Sequence, residues 1–245
     1  MTQEHTSYID ANCTFGRFPN HDRGVVEVKD LATTLDALGV ARALVRHALG
    51  QHASPVEANT ALAEALRGHP RWTPCWVVNP AQTPNGLETL STDQIRAVCL
   101  YPKLHGYPPA PWMVELCLAP LAERGALALV EVDQSSPSDL YTLCQAFPRL
   151  RVVALNTGYR ILGILSRLMA TCPNLHVELS TMAAHRGIET LVERHGAERL
   201  LVGTNTPLSD GIGPLAALGY AGISDEDRAL IAGGNLERLL GEVRS

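Results

Sequence analysis

The chain has 245 residues, of which 46% are hydrophobic and 18% are charged, and its formal net charge is −5. This composition suits one large core, so we expect a single domain over residues 1–245. The acidic balance argues against nucleic-acid and membrane-surface partners, which both favour basic patches. No run approaches the roughly 18 apolar residues of a membrane span. The polar residues 1–7 precede no apolar segment, so no secretory signal is expected.

The six cysteines are dispersed and form no C-x-x-C pair. Disulfide frameworks belong to shorter secreted chains, so we expect reduced thiols and a cytoplasmic location. Cys13 is the thiol that lies closest to a candidate site. An inert thiol is the preferred interpretation there, because a reactive thiol needs an electropositive setting.

Short apolar, β-branched segments alternate with helical patterns along the chain. We predict eight strands, the first beginning at Tyr8 and the others covering residues 41–45, 72–78, 96–101, 126–132, 151–155, 175–179 and 200–202. We predict helices over residues 28–39, 54–67, 86–94, 112–124, 136–146, 161–169, 187–195, 225–231 and 236–243. Eight strand–helix units of this kind favour an α/β fold, a single (β/α)8 TIM barrel. The alternative is a doubly wound open sheet, but no G-x-G-x-x-G motif supports it.

In such barrels the chemistry lies at the carboxyl ends of the strands. The predicted strand ends supply Asp10, Asn12, Thr14, Arg46, His47, Tyr101, Lys103, His105, Glu131, Asp133, Asn156, Thr157, Tyr159, Glu178, Ser180, Thr204 and Asn205.

Three of these strand ends carry recognisable motifs. Residues 8–16 read YIDANCTFG, residues 154–158 read ALNTG, and residues 203–207 read GTNTP. The first resembles Ile-Asp-x-His-x-His-x-Gly of the amidohydrolase superfamily, in its amidohydrolase 2 branch. The other two are similar to the apolar-apolar-His-x-Gly and Gly-Ser/Thr-Asp-x-Pro motifs of the same branch. The resemblance runs from end to end of the chain and implies a TIM-barrel, metal-dependent hydrolase.

The resemblance breaks at the positions where that branch binds its metal. Asn12 and Thr14 replace the two histidines of the first strand, Asn156 replaces the histidine of the sixth, and Asn205 replaces the aspartate that serves as ligand and general base. Zinc prefers imidazole, thiolate or carboxylate ligands, and asparagine does not titrate. We therefore predict a degenerate metal site that binds neither the usual divalent metal nor another cofactor.

The remaining candidates allow more than one interpretation. Glu131, nearest to the fifth-strand ligand histidine, alternates with Asp133, so both are expected on one face of a strand as acid/base groups. Alternatively, one of them forms a buried salt bridge with Lys103 or Arg46. His47 and His105 are either ligand contacts or hydrogen-bonded loop residues.

Two functions follow from this pattern. The first is hydrolysis or decarboxylation of a small polar, carboxylate-bearing compound, with Glu131 or Asp133 as the acid/base group. The second is a non-catalytic barrel that binds a small molecule or pairs with an active relative. Under either hypothesis the predicted contacts to the small molecule are Asn12, Thr14, His47, Lys103, His105, Asn156 and Asn205. A homo-oligomer is compatible with the sequence.

Overall fold

The computed structural model describes residues 7–19, 22–83 and 85–244, and its strands form a closed parallel barrel. Residues 1–6, which belong to the polar start of the chain, lie outside the described residues. The strands are β1 (Tyr8–Arg17), β2 (Gly24–Val25), β3 (Val40–His47), β4 (Trp72–Pro74), β5 (Trp76–Val78), β6 (Ala97–Leu100), β7 (Leu127–Glu131), β8 (Arg151–Leu155), β9 (Leu175–Glu178) and β10 (Leu200–Leu201). Short β2 pairs antiparallel with the end of β1, and β4 and β5 together make one barrel strand.

Two ladders, ordered β2-β1-β3-β4 and β10-β9-β8-β7-β6-β5, are joined by backbone hydrogen bonds. At one seam the N–H of Cys75 donates to the carbonyl of Val45 at 2.7 Å. At the other, the N–H of Ala11 donates to Val202 at 3.0 Å and that of Thr14 donates to Thr206 at 2.8 Å. The predicted (β/α)8 barrel is therefore confirmed.

Ten helices surround the barrel in the part of the chain that the structure describes. They are α1 (Val28–Ala37), α2 (Leu49–His52), α3 (Pro55–Ala65), α4 (Pro111–Arg124), α5 (Pro137–Ala146), α6 (Leu162–Thr171), α7 (Gly187–His195), α8 (Ile212–Tyr220), α9 (Asp225–Ala229) and α10 (Asn235–Gly241). A π-helical turn, Leu230–Gly234, joins the last two. Ser136 and Asp139 form a full capping box at the start of α5, which satisfies backbone N–H groups that the helix leaves free.

One predicted helix is wrong, and two helices, α2 and α8, were not predicted. Residues 86–94 contain only a 3-10 turn, Thr92–Gln94, because Gly86 has a φ of 100° and its carbonyl accepts a hydrogen bond from Asn59 at 2.6 Å. Conversely, α8 has no counterpart among the predicted helices. It is short and apolar around most of its circumference, so it lacks the amphipathic period by which surface helices are recognised.

The core fills the barrel and the space between barrel and helices. Every residue of β6 is buried, as is every residue of β9, because helices cover one face and the barrel interior the other. Among the described residues, no helix is both long and apolar enough to cross a bilayer.

Candidate functional site at the barrel mouth

Asp10 ties the first barrel strand to the last beneath the site. Its fully buried carboxylate accepts hydrogen bonds from the N–H of Asn12 at 2.8 Å, the N–H of Thr204 at 2.9 Å and the Thr204 hydroxyl at 2.5 Å. Burial raises the pKa of Asp10, although these hydrogen bonds favour the carboxylate. Asp10 therefore closes the barrel and fixes the backbone at Asn12.

Asn12 is the centre of a polar network that crosses the carboxyl ends of three strands. Its Nδ2 lies 3.0 Å from Asn156 Oδ1, 2.9 Å from Glu178 Oε2 and 3.3 Å from Ser180 Oγ. The Ser180 hydroxyl has two acceptors within hydrogen-bond distance, Glu178 Oε2 at 2.9 Å and Asn156 Oδ1 at 3.3 Å. Two of the predicted contact residues, Asn12 and Asn156, are thus brought together directly.

Glu178 is a buried carboxyl group that accepts hydrogen bonds from the other members of this network. Its side chain has no solvent exposure and accepts from the N–H groups of Ser180 at 2.5 Å and Asn156 at 3.3 Å. Burial raises the pKa of Glu178 to about 7, while the hydrogen bonds from Ser180 and Asn156 act in the opposite direction. Gly203 makes room for it, because a Cβ there would lie 2.2 Å from Glu178 Oε1.

Arg46 and Glu131 form a buried ion pair between the ends of β3 and β7. Arg46 Nη2 lies 3.0 Å from Glu131 Oε1, with the two side chains 1% and 13% exposed. Arg46 Nε donates to the Tyr101 hydroxyl at 2.9 Å, which also accepts from Gln51 at 3.0 Å. Burial opposes the charge on Arg46, but Tyr101 and Glu131 outweigh it, and the pKa of Arg46 lies well above its ordinary value. Of the two alternatives for Glu131, the structure shows the salt bridge with Arg46.

Glu131 and Asp133 do not share a strand face, so this expectation is wrong. Strand β7 ends at Glu131, and Val132–Gln134 forms a 3-10 turn that carries Asp133 to an exposed position. Asp133 Oδ1 lies 3.4 Å from Gln134 Nε2. Burial raises the pKa of Glu131, although the charge of Arg46 and hydrogen bonds from the Arg46 and Asn156 side chains partly offset this effect. Glu131 therefore belongs to the network of Asn156, whereas Asp133 lies at the rim.

His47, the last residue of β3, and His105, in the loop after β6, are both hydrogen-bonded. The N–H of Leu49 donates to His47 Nδ1 at 3.2 Å, and His105 Nε2 lies 2.9 Å from the carbonyl oxygen of Gly50. Burial lowers the pKa of both imidazoles, which favours their neutral forms. Lys103 is exposed in the same loop as His105 and brings a positive charge to the rim.

The asparagines at the ends of the sixth and eighth barrel strands share an unusual backbone. Asn156 and Asn205 have φ angles of 52° and 54°, in the left-handed region that asparagine tolerates better than most residues. Asn205 is half-buried, and its side chain makes no hydrogen bond with a described residue. Thr14 is buried, and its backbone N–H bonds to Thr206.

These donors do not fit the divalent metal that the resemblance implies. The amides of Asn12 and Asn156 are hydrogen-bonded to each other, and Glu131 is held by the guanidinium of Arg46. A buried guanidinium repels a second cation at the same place. In the described ranges, no group of three or more His, Cys, Asp or Glu side chains could hold a metal ion.

The sequence matches the model of one protein family. A family model described as amidohydrolase matches residues 9–241, nearly the whole sequence. The chain belongs to the amidohydrolase family. None of the curated proteins matches this amidohydrolase chain in sequence.

Several solved structures share the fold of this chain. An uncharacterized TIM-barrel protein from Bordetella bronchiseptica is 15% identical with a TM-score of 0.76, covering 96% of this chain and 99% of its own. 5-Carboxyvanillate decarboxylase from Sphingomonas paucimobilis is 14% identical with a TM-score of 0.74 and the same coverage. A dihydroxybenzoic acid decarboxylase from Polaromonas, with bound manganese and the inhibitor 2-nitroresorcinol, is 14% identical with a TM-score of 0.74 and covers 98% of both chains. At this identity the likeness concerns the fold.

Sequence reasoning did not select Glu178 and Arg46 as site residues, although both stand at predicted strand ends. Their signal was a charged side chain at the end of a strand segment, in LHVE of β9 and ALVR of β3. Such a group is buried with its strand and needs a partner. The partners lie on other strands, so they appear only in the folded chain.

Proposed function

We propose that this chain is a metal-independent member of the amidohydrolase family that binds a small polar, carboxylate-bearing compound at its barrel mouth. The observation that carries the proposal is the network of Asn12, Asn156, Glu178 and Ser180. Two of its members, Asn12 and Asn156, stand where the family resemblance expects histidine ligands, and both are hydrogen-bonded within the protein. Such a site stays polar and folded without a cation. Without a Lewis acid to lower the pKa of water, a hydrolytic water would need activation by a side chain.

Two observations support the proposal that the ligand carries a carboxylate: exposed cations near the mouth and the names of two structural neighbours. Arg17, Lys103 and Arg160 are exposed at or beyond the carboxyl ends of β1, β6 and β8, on the same side of the barrel as the network. Two structural neighbours are named as decarboxylases of 5-carboxyvanillate and 2,6-dihydroxybenzoate, which are small aromatic carboxylates. Exposed cations at a rim favour the approach and orientation of such an anion.

A titration tests binding without a metal. 4-Hydroxybenzoate is added to two samples of the protein, one untreated and one treated with a chelator. We expect it to raise the melting temperature of both samples by the same amount. The substitution Lys103→Met is expected to weaken binding by about two- to fivefold, the scale of an exposed ion pair. Lys29→Met is the matched control, because Lys29 is an exposed lysine on α1 that pairs with Glu27. Binding that disappears with the chelator contradicts the proposal.

A second candidate function is acid/base catalysis on the bound compound, and the position of Glu131 favours it. Glu131 retains slight exposure and bonds to the Asn156 side chain, and burial raises its pKa against the opposing effect of Arg46, so it can exchange a proton near the ligand. In a decarboxylation it would deliver that proton to the carbon that loses carbon dioxide. Product formation from 4-hydroxybenzoate or a related compound, lost in Glu131→Gln and kept in Asp133→Asn, would establish this function over simple binding.

A further inference from the structure

The helix layer of the barrel is interrupted between β5 and β6. The described residues between these two strands form no α-helix, only the 3-10 turn Thr92–Gln94, whereas every other pair of successive barrel strands is joined by at least one α-helix. The helices of a (β/α)8 barrel form an outer ring, so an interruption uncovers the flank of the neighbouring helix. That neighbour is α4, which follows β6.

An apolar stripe lies on the uncovered side of α4. Trp112 is 71% exposed, Leu116 is 92% exposed, and Pro120 is exposed as well. Because the three residues are four positions apart, they follow one another along a single face of the helix. Single exposed apolar residues are ordinary, but a contiguous group of this size marks an interaction surface.

A cavity of about 210 Å³ adjoins this α4 stripe. Leu116 and Pro120 line it from α4, and Leu87 and Leu90 line it from the segment that takes the place of the helix. An apolar cavity of about 150 Å³ holds a benzene molecule. The cavity of about 210 Å³ is therefore of the right size for the larger indole ring of a tryptophan.

The α4 stripe is symmetric about Leu116. Trp112 precedes Leu116 by four positions, and Pro120 follows it by four. A two-fold interface needs a surface that is complementary to itself, because both chains contribute the same patch. If two copies of α4 pack antiparallel with Leu116 at the two-fold axis, each Trp112 lies opposite the partner's Pro120, next to the partner's cavity.

We propose that a second copy of this chain covers the α4 stripe, with the two α4 helices antiparallel and Leu116 at the two-fold axis. Trp112 and Leu116 together expose on the order of 300 Å², and Pro120 with the two leucines of the cavity brings the surface to about 500 Å² per chain. A dimer then buries about 1,000 Å² in total, which is the lower limit for a specific interface. The dimer is therefore a weak, reversible one.

Sedimentation velocity over a range of concentrations tests the association. We expect the unaltered protein to dimerise with a Kd on the order of 10 µM, the scale of a small reversible interface. Leu116→Lys places two charges at the axis and is expected to raise the Kd at least tenfold. Since Leu116 is 92% exposed, the substitution should leave the folded monomer intact. Tyr220→Lys, at a residue of α8 that is 91% exposed, is the matched control and should dimerise like the unaltered protein.

Cross-linking tests the register of the two helices. The axes of packed helices lie about 8–10 Å apart, which brings facing Cα atoms within the roughly 6 Å that a disulfide spans. In Leu116→Cys, copper-catalysed oxidation by air is therefore expected to join two chains through a disulfide that a reducing agent removes. The six native cysteines are all buried, so they do not compete. Tyr220→Cys should stay unlinked under the same conditions.

Three results would overturn the proposal. The first is an unaltered protein that is monomeric at every concentration, which would leave the surface to a different protein. The second is a Leu116→Lys variant that dimerises as tightly as the unaltered protein. The third is a Leu116→Cys variant that links no better than Tyr220→Cys, since the two copies of α4 would then not meet at this residue.

Discussion

At the scale of single residues, the site depends on charges buried beside amides. Arg46 is almost entirely buried and bonds to both Glu131 and Tyr101. Glu178 is fully buried and bonds to Asn12, Asn156 and Ser180. In each case the burial is tolerated because every charge has several polar partners.

Arg46→Met is expected to lower the free energy of unfolding by about 3–5 kcal/mol, because it leaves Glu131 without its cation in a buried place. The double variant Arg46→Met with Glu131→Gln is expected to lose less than the single variant, since it removes both charges. Chemical denaturation measures both values. Lys29→Met, in a pair whose side chains are 74% and 57% exposed, is the control and should change little. A single variant as stable as the control would show that the ion pair contributes nothing.

Glu178 predicts a dependence of stability on pH. The pKa of its carboxyl group is about 7 in the folded chain against an ordinary 4.5, so the folded state holds a proton that the unfolded state releases. Its contribution is therefore fully present below about pH 4.5 and is lost as the pH rises through 7. Between pH 5 and pH 8 the loss amounts to about 2–3 kcal/mol.

The comparison of wild type with Glu178→Gln isolates this effect. His176 is buried with its pKa lowered to about 4, which changes stability in the opposite direction in acid, but it does so equally in both proteins. The difference in unfolding free energy between the two proteins should widen in favour of Glu178→Gln from pH 5 to pH 8. A difference that stays constant over this range would mean that Glu178 is ionised throughout.

At the scale of secondary structure, small residues and asparagines hold the elements in register. Asn59 on α3 bonds to both backbone groups of Val77 and to the carbonyl of Gly86. Asn174 bonds to three carbonyls in the last turn of α5 and the loop that follows it, and Asn235 bonds to the carbonyls of Ala197 and Leu200. These side chains supply hydrogen bonds to backbone groups where no regular helix or strand supplies them.

Gly203→Ala tests how closely β1 and β9 meet at the end of β10. A Cβ at Gly203 would lie 2.2 Å from Glu178 Oε1 and 2.8 Å from Asn12 Cβ, so the network must move. We expect a loss of about 1–3 kcal/mol in unfolding free energy, together with weaker binding of 4-hydroxybenzoate. Gly213→Ala is the matched control: nothing lies within 4 Å of its Cβ in α8, and alanine there should be neutral or stabilising. Equal stability of the two variants would contradict the packing described.

At the scale of the whole molecule, the barrel could be predicted because its eight apolar segments recur with helices between them. The helix over residues 86–94 could not be excluded, since the bonds from Asn59 that shape this segment come from α3. The motifs alone show that Asn12, Asn156 and Asn205 stand where the family has metal ligands. Their contacts could not be read from the motifs, because Asn12 and Glu178 are 166 positions apart. The left-handed φ angles of Asn156 and Asn205 were likewise outside the reach of pattern reasoning.

Restoring the family's motif residues tests whether their loss is what excludes a metal. The triple variant Asn12→His, Thr14→His and Asn205→Asp supplies two imidazoles and a carboxylate, which is enough for a zinc site with one position left for water. We expect this variant to retain zinc through gel filtration. The triple variant Asn12→Gln, Thr14→Ser and Asn205→Gln alters the same positions without adding ligands and serves as its control.

The most direct test of a metal-independent barrel is the metal content of protein purified without any chelator, measured by elemental mass spectrometry. We predict far less than one zinc, manganese or iron ion per chain in the unaltered protein and a near-stoichiometric ion in the variant with restored histidines. A stoichiometric metal in the unaltered protein would contradict the account, and Glu131, Asp133, His47 and His105 would then be the first side chains to substitute in search of its ligands.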